Sequence, residues 1–332
     1  MLDSATPNSD PGIARIAVYL PEATLGNAEL VERFGFERAF LDDKIGVLTR
    51  HIAAEDEAVS DMAVAAAEKL FAAAPEAREQ IELVVLCTQN PDYRLPTTAN
   101  IVQHRLSLPQ TVVAFDINQG CSGYVIGLSV VRAMMMAHGF RNALFLTTDG
   151  YSKVMDPGDR KTVPLFGDGA AATLLSEDGP GKLGNFTFGS DGSGADDLIV
   201  RGGGSRNPDQ PVSGPGALYM NGRAILKFMI KRVPADVDRC LAANGLTRDD
   251  VDLFIFHQAS GHMVRALIQE LELPSEKVPM CIADVANTVS STLPIVLDSV
   301  GGIGALAGKT VLLCGFGVGL SWGSTVMRVE PA

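Results

Sequence analysis

Uninterrupted apolar runs alternate along this chain with apolar residues at helical spacing. Ile13 to Tyr19 reads as a first strand closed by Pro21, and Asn27 to Arg33 as a short helix. Residues 40 to 53, FLDDKIGVLTRHIA, mix charged and apolar positions without a clear period. Ser60 is the expected N-cap of an alanine-rich helix running to about Ala74, with Met62, Ala66 and Leu70 on one face. IELVVLCTQ, residues 81 to 89, has the pattern of a strand buried on both faces. The β-branched run Thr111 to Val113 then leads through Ala114, Phe115 and Asp116 to Gln119, Gly120 and Cys121. After it, Val125, Leu128, Val131 and Met135 recur at helical spacing, which predicts strand, tight turn and buried helix.

The second half repeats this order. A helix from Gly222 to Arg232, extended by Ala235 to Asn244, precedes VDLFIFHQA at 251 to 259. That segment matches residues 81 to 89 nearly position for position and sets His257 against Cys87. Each half then runs through a helix and a strand to a turn and helix, with Cys121 and Tyr124 in the first and Asn287 to Leu297 in the second. Each closes on a further strand, residues 142 to 149 and 309 to 316. Such a duplication of strand–helix units implies mixed sheets covered by helices. Between the halves, residues 189 to 216 are dense in Gly, Pro, Ser and Asp, a substrate-facing loop or plain surface disorder.

Composition narrows the partners. The chain has 332 residues, of which 46% are hydrophobic, enough for a sizeable core. Its net charge is -12, from 39 acidic against 27 basic residues, and without a Lys/Arg cluster nucleic acid is an unexpected partner. The first twelve residues are acidic, without the apolar core of a signal peptide, and read as a disordered tail. No apolar run reaches the length of a membrane helix, so no membrane partner is expected and the expected compartment is the cytoplasm. Cys87, Cys121, Cys240, Cys281 and Cys314 lack CxxC spacing and are expected as reduced thiols.

Cys121 is the candidate nucleophile. Near the first turn of a helix, unpaired N–H groups and the helix dipole favour the thiolate, and Gly120 and Gly123 allow a ligand or backbone to approach. The bland alternative is a small core residue. His257 ends an apolar strand and equally fits a satisfied core histidine. Asn287 alone reads as a turn or N-cap residue. His257 and His262 are not a metal pair, because five residues on a helix turn them about 140° apart and no carboxylate is near in sequence. GFGVGLSWG, residues 315 to 323, is no dinucleotide loop: it neither follows a first strand nor precedes a helix with an acidic residue about twenty positions on.

Taken together, YLPEATLGN (19 to 27), RHIA (50 to 53), DINQGCSGY around Cys121, DPGDRKT (156 to 162), FGDGAAA (166 to 172), FHQASGH (256 to 262), ANTVSST (286 to 292) and GFGVGLSWGS (315 to 324) resemble β-ketoacyl-acyl-carrier-protein synthase III of the thiolase superfamily over nearly the whole chain. The resemblance implies an α/β, thiolase-like duplicated fold, layered αβαβα with two mixed five-stranded sheets. Residues 1–178 would be the half with the nucleophilic cysteine, and residues 179–332 the half with the histidine and asparagine.

It also implies roles. Cys121 would take an acyl group from acyl-CoA, and His257 and Asn287 would hold the thioester carbonyl of malonyl-acyl carrier protein or malonyl-CoA through decarboxylation. Backbone N–H groups of Cys121 and Val318 would form the oxyanion hole; Val318 stands where glycine is usual and requires a compatible φ. Phe40 and Lys44 occupy the segment of the CoA-adenine clamp, with Arg160 as its arginine; Arg223 and Ser260 replace two pantetheine-contacting asparagines. Lys227 and Lys231 remain as a carrier-docking stripe, while His262, Gln269 and Glu270 replace basic residues. A homodimer is implied, with Leu95 reaching the acyl pocket of a second copy. No cofactor is expected besides CoA as part of the substrate. Two alternatives remain open: an acyltransferase to oxygen or nitrogen on the same scaffold, and a non-catalytic partner subunit.

Overall fold

The computed structural model describes residues 10–331. The expected twelve-residue tail falls largely on residues 1–9, outside the described residues. Asp10 already pairs with Arg132 at 2.6 Å, and strand β1 begins at Gly12. No helix among the described residues is long and apolar enough to cross a membrane.

Five strands of the first half form one mixed sheet. They are β1 (Gly12–Tyr19), β4 (Leu83–Cys87), β5 (Val113–Ile117), β6 (Asn142–Asp149) and β7 (Gly169–Ser176), in the order β1-β7-β6-β4-β5. A short hairpin-like pair, β2 (Thr24–Gly26) and β3 (Thr49–His51), stands apart from it. The second half supplies β8 (Gly181–Ser190), β11 (Leu253–Phe256), β12 (Thr310–Gly317) and β13 (Ser321–Val329) in the order β11-β12-β13-β8. The two sheets touch where Gly12 and Ile13 of β1 meet Lys182 and Gly181 of β8, so the ladder runs on as nine strands.

Here the expectation of five strands in each sheet needs correction. Where the duplication calls for a fifth strand outside β11, residues 278 to 281 form no ladder. Pro279 lacks the N–H that a strand pairing requires, and a 3₁₀ turn, Ser275–Lys277, leads into it.

Helices complete five layers. Outside the first sheet lie α2 (Val59–Ala73), against β1, β6 and β7, and α3 (Thr98–Arg105), against β4 and β5. Between the sheets lie α4 (Gly123–His138), which touches β4 and β6 on one side and β12 and β13 on the other, and α8 (Thr292–Ser299), which touches β1, β7, β11 and β12. Outside the second sheet α5 (Gly222–Ala243) packs on β8, β12 and β13 with α6 (Gly261–Glu270) beside it. The shorter helices α1 (Asn27–Phe34), α7 (Ile282–Val285) and α9 (Gly302–Ala305), and the β9 (Leu198–Val200) and β10 (Leu218–Met220) ribbon, fill the periphery. This is the αβαβα order, and the central place of α4 explains its sequence: Val125, Leu128, Val131 and Met135 are all fully buried.

Three local features refine this picture. Helix α2 starts one residue before Ser60, at Val59, and Asp61 rather than Ser60 caps it by accepting the Ala58 N–H at 2.6 Å. Helix α5 runs through Pro234 as one helix, Gly222–Ala243, as the extension past Arg232 implied, its Val233, Val237 and Cys240 side packed into the core. The 189 to 216 segment includes a 3₁₀ turn, Gly192–Asp197, and strand β9, and several of its residues line a cavity.

Candidate active site

Cys121 sits at the end of the turn from β5 into α4, one residue before the N-cap Ser122, and is only 4% exposed. The glycines around it are required by space. A Cβ on Gly123 would fall 2.4 Å from Cys87 Sγ, and one on Gly317 would fall 2.8 Å from Cys121 Sγ. The backbone N–H groups of Cys121 and Val318 are near enough to the Cys121 sulfur to favour its ionised form. Val318 is not among the described residues with positive φ, so valine is accommodated where glycine was expected.

The helix N-terminus is not the only influence on the Cys121 thiol. Burial, and then the charge of Asp149, push the Cys121 thiol up to about 12, against the two N–H groups that favour the ionised form. The helix N-terminus is present, but at this depth desolvation outweighs it.

His257 follows β11 and continues its ladder by donating its N–H to Cys314 O at 2.9 Å. Its Nδ1 lies 2.7 Å from Thr292 Oγ1, and its ring meets Phe316 edge-on at 5.4 Å. Burial pushes its pKa down to about 3, so the imidazole is neutral. Asn287 is fixed by its oxygen: Oδ1 accepts the Val289 N–H at 2.9 Å, which turns the NH₂ toward the cleft and Ala259 O at 3.4 Å. The flanking residues Ala286 and Val289 have φ of 60° and 54°, a region that costs a β-branched residue of order 1–3 kcal/mol. The backbone is bent out of its preferred range where Asn287 must be aimed.

One cleft of about 640 Å³ joins these groups. Cys121, His257 and Asn287 line its floor; Phe40, Lys44, Arg160 and Ser260 line it further out. The aromatic contact there differs from expectation. The Arg160 guanidinium lies 4.9 Å from the Phe36 ring, and Phe36 in turn stacks on Phe40 at 5.8 Å, so Phe36 joins the mouth. Ser260 caps α6, accepting the Met263 N–H at 3.1 Å. Arg223 is exposed and does not itself line the cleft, although Gly222 and Ile225 beside it do. Lys227 and Lys231 are exposed on α5, four residues apart on one face. Leu95 lies away from the cleft and is 82% exposed.

Sequence reasoning missed Asp149. It ends β6, is fully buried, and accepts from Ser290 Oγ at 2.5 Å, Ser290 N at 3.2 Å and Gln89 N at 2.9 Å. Burial nevertheless pushes its pKa up to about 7. The available signal was an acid closing the apolar run NALFLTT, a pattern also expected of an exposed strand end.

A duplicated αβαβα fold, with a cysteine from one half facing a histidine and an asparagine from the other in a buried cleft, defines the class of thiolase-type condensing enzymes. Residues 115–192 match the family 3-Oxoacyl-[acyl-carrier-protein (ACP)] synthase III, and residues 241–329 match 3-Oxoacyl-[acyl-carrier-protein (ACP)] synthase III C terminal. The chain is 35% identical over 316 residues to a β-ketoacyl-[acyl-carrier-protein] synthase III of Chlamydia caviae, covering 93% of this chain and 94% of that one. A relative of the same description from Acidiphilium cryptum is 35% identical over 318 residues, covering 94% and 97%. A crystal structure of a 3-oxoacyl-(acyl-carrier-protein) synthase III superimposes with a TM-score of 0.91 at 40% identity, covering 96% of this chain and 99% of that one. The chain therefore belongs to the 3-oxoacyl-acyl-carrier-protein synthase III family and is a ketosynthase III-type condensing enzyme.

Proposed function

We propose that this enzyme is an acyltransferase that loads an acyl group from acyl-CoA onto Cys121 and condenses it with a malonyl thioester. The observation that carries the reading is the convergence of Cys121, His257 and Asn287 in one buried cleft. Cys121 Sγ attacks the thioester carbonyl; the oxyanion rests on the N–H groups of Cys121 and Val318, and the thiol proton leaves with CoA. Phe36, Phe40 and Arg160 offer a stacking surface at the mouth for an adenine, with Lys44, Ser260 and the nearby Arg223 toward the linker. A malonyl thioester then binds with its carbonyl toward His257 and the Asn287 NH₂. The malonyl carboxylate leaves as CO₂, and its bonding electrons form an enolate held by those donors. The enolate carbon attacks the acyl carbonyl on Cys121, the Cys121 thiolate departs and takes up a proton from water to restore the thiol, and a 3-oxoacyl thioester is released. A neutral histidine suits this step, since it donates to the enolate without the desolvation cost of a buried charge.

The carrier would dock on Lys227 and Lys231, and the protein would work in the cytoplasm as a homodimer. Strand β5 is a free edge of the sheet, and Leu95 on an exposed segment is available to a second copy. The halves 1–178 and 179–332 would then be the nucleophile-bearing and enolate-stabilising units.

Two half-reactions test this. Intact-mass measurement should find the acyl adduct on the wild type and not on Cys121→Ser. Asn287→Ala should load at near-normal rate yet lose condensation by about 10²–10³-fold, the usual cost of removing one such donor. Wild-type protein that loads acyl groups but releases no CO₂ from either malonyl-carrier or malonyl-CoA, and esterifies an alcohol or amine instead, would overturn condensation in favour of acyl transfer.

A further inference from the structure

The aim of His257 and of Asn287 depends on one short run of chain. After Asn287 a 3₁₀ turn, Val289–Ser291, leads directly into helix α8 at Thr292. The Val289 N–H donates to Asn287 Oδ1 at 2.9 Å, which leaves the amide NH₂ to face the cleft. Thr292 Oγ1 lies 2.7 Å from His257 Nδ1, and a hydroxyl donating there keeps the ring proton on Nε2, the donor an enolate needs. Both side chains are therefore aimed by residues 289 to 292. This run is not relaxed: Val289 has a φ of 54°, which a β-branched residue rarely adopts, so something outside the turn must hold it.

The holding group comes from the nucleophile's half. Ser290 gives both its N–H and its Oγ–H to one oxygen of Asp149, at 3.2 and 2.5 Å. Ser291 Oγ donates to Thr147 Oγ1, two residues earlier on β6, at 3.0 Å. The second Asp149 oxygen accepts the Gln89 N–H at 2.9 Å, so the carboxylate cannot swing away from either half without leaving a buried N–H unpaired. Asp149, Ser290 and Ser291 are fully buried, which puts these bonds out of reach of solvent. A carboxylate is suited to this place because it accepts on both oxygens. An amide of the same shape has one accepting oxygen and would turn its NH₂ against a donor.

We propose that Asp149 is the positioning residue for both enolate donors: it grips Ser290 from the opposite half and, through the 289 to 292 turn, keeps Asn287 and His257 aimed into the cleft. The proposal rests on the reading that these two side chains stabilise a malonyl-derived enolate. Acetyl loading from acetyl-CoA, followed by intact mass, and condensation kinetics on malonyl-CoA and on a malonyl-carrier test it on the full chain. Asp149→Asn and Ser290→Ala should each lower kcat for condensation roughly tenfold or more, with a smaller change in KM and with acetyl loading within about threefold of the wild type. The double variant should be no worse than the poorer single one by more than about twofold, because both substitutions break one linkage. Ser290→Ala keeps the buried carboxylate and decides the matter if Asp149→Asn fails to fold. Condensation at the wild-type rate in a folded variant, equal loss in loading and condensation, or losses that multiply in the double variant would each overturn the positioning role. A wild type that loads acetyl but releases no CO₂ from either malonyl donor strikes the condensation reading instead.

Discussion

Asp149 brings a carboxylate into the interior behind the nucleophile, and its titration has a definite sign. Its pKa rises from 3.8 to about 7 on folding, chiefly through burial. A raised carboxylate binds its proton more tightly in the folded protein, so its contribution is fully present below pH 3.8 and is lost as pH rises through 7. At 1.36 kcal/mol per unit the whole change is about 4 kcal/mol. His257 works oppositely: its pKa falls from 6.5 to about 3, so stability is lost as pH drops below 6.5. Asp149→Asn should therefore gain in urea midpoint relative to the wild type as pH is raised from 5 to 8, and parallel pH profiles would contradict this. Comparing the pair cancels the other raised carboxylates, Asp116, Asp168 and Asp298. Cys121 is legible in the sequence from its strand-to-helix turn and flanking glycines, whereas His257 and Asn287 stand out only through the family resemblance, because a strand-end histidine and a turn asparagine have ordinary structural roles. Asp149 and Phe36 are not legible. A strand-end acid and a phenylalanine in a charged stretch acquire their roles only from neighbours distant in sequence, Ser290 for one and Arg160 for the other.

The elements that present the site are β12 with its following turn and the central helices α4 and α8. Strand β12 passes so close to the nucleophile that Gly317 allows no side chain: a Cβ there would lie 2.7 Å from Cys121 Cβ and 2.8 Å from its sulfur. Gly317→Ala should keep the fold, since β12 pairs with β13 along its length and with β11 from Val311 to Cys314, while displacing the thiol and the Val318 N–H. A displacement near 1 Å at a reacting centre costs about 10²-fold, so acyl loading should fall by that order with little change in melting temperature. Loading at the wild-type rate would show that the turn adjusts freely. Strand periods, and the buried helix after Cys121, are readable because burial on two faces leaves an uninterrupted apolar signature. The absence of a fifth strand from the second sheet is not, because a proline at 279 lies in the segment otherwise aligned with β5 and removes an N–H that a ladder needs. The continuity of α5 past Pro234 is kept by packing of Val233 and Val237 against the core, which outweighs the hydrogen bond that the proline removes.

At the scale of the molecule, charge sets a problem for any acidic partner. The protein carries a net charge of -12, so a carrier of the same sign is repelled at long range and must be received by a local patch. Helix α5 provides one: Arg223, Lys227 and Lys231 are exposed at four-residue intervals along a single face, beside Gly222 and Ile225 at the cleft. The cleft mouth thus lies at the end of a basic row on a protein of net negative charge. Exposed charges of this kind act mainly on encounter rate and are screened over about 8 Å at physiological salt. Reversing Lys227 and Lys231 together, Lys227→Glu with Lys231→Glu, should therefore raise KM for a malonyl-carrier substrate at least tenfold at low salt, with the loss shrinking as salt is added. The same variant should take malonyl-CoA and load acyl-CoA within about twofold of the wild type, because neither lysine lines the cleft. Steady-state kinetics on the two malonyl donors across a salt series decides it. Equal loss on both donors would place these lysines in the CoA path rather than the carrier's, and no loss on either would return them to an ordinary solvated helix face.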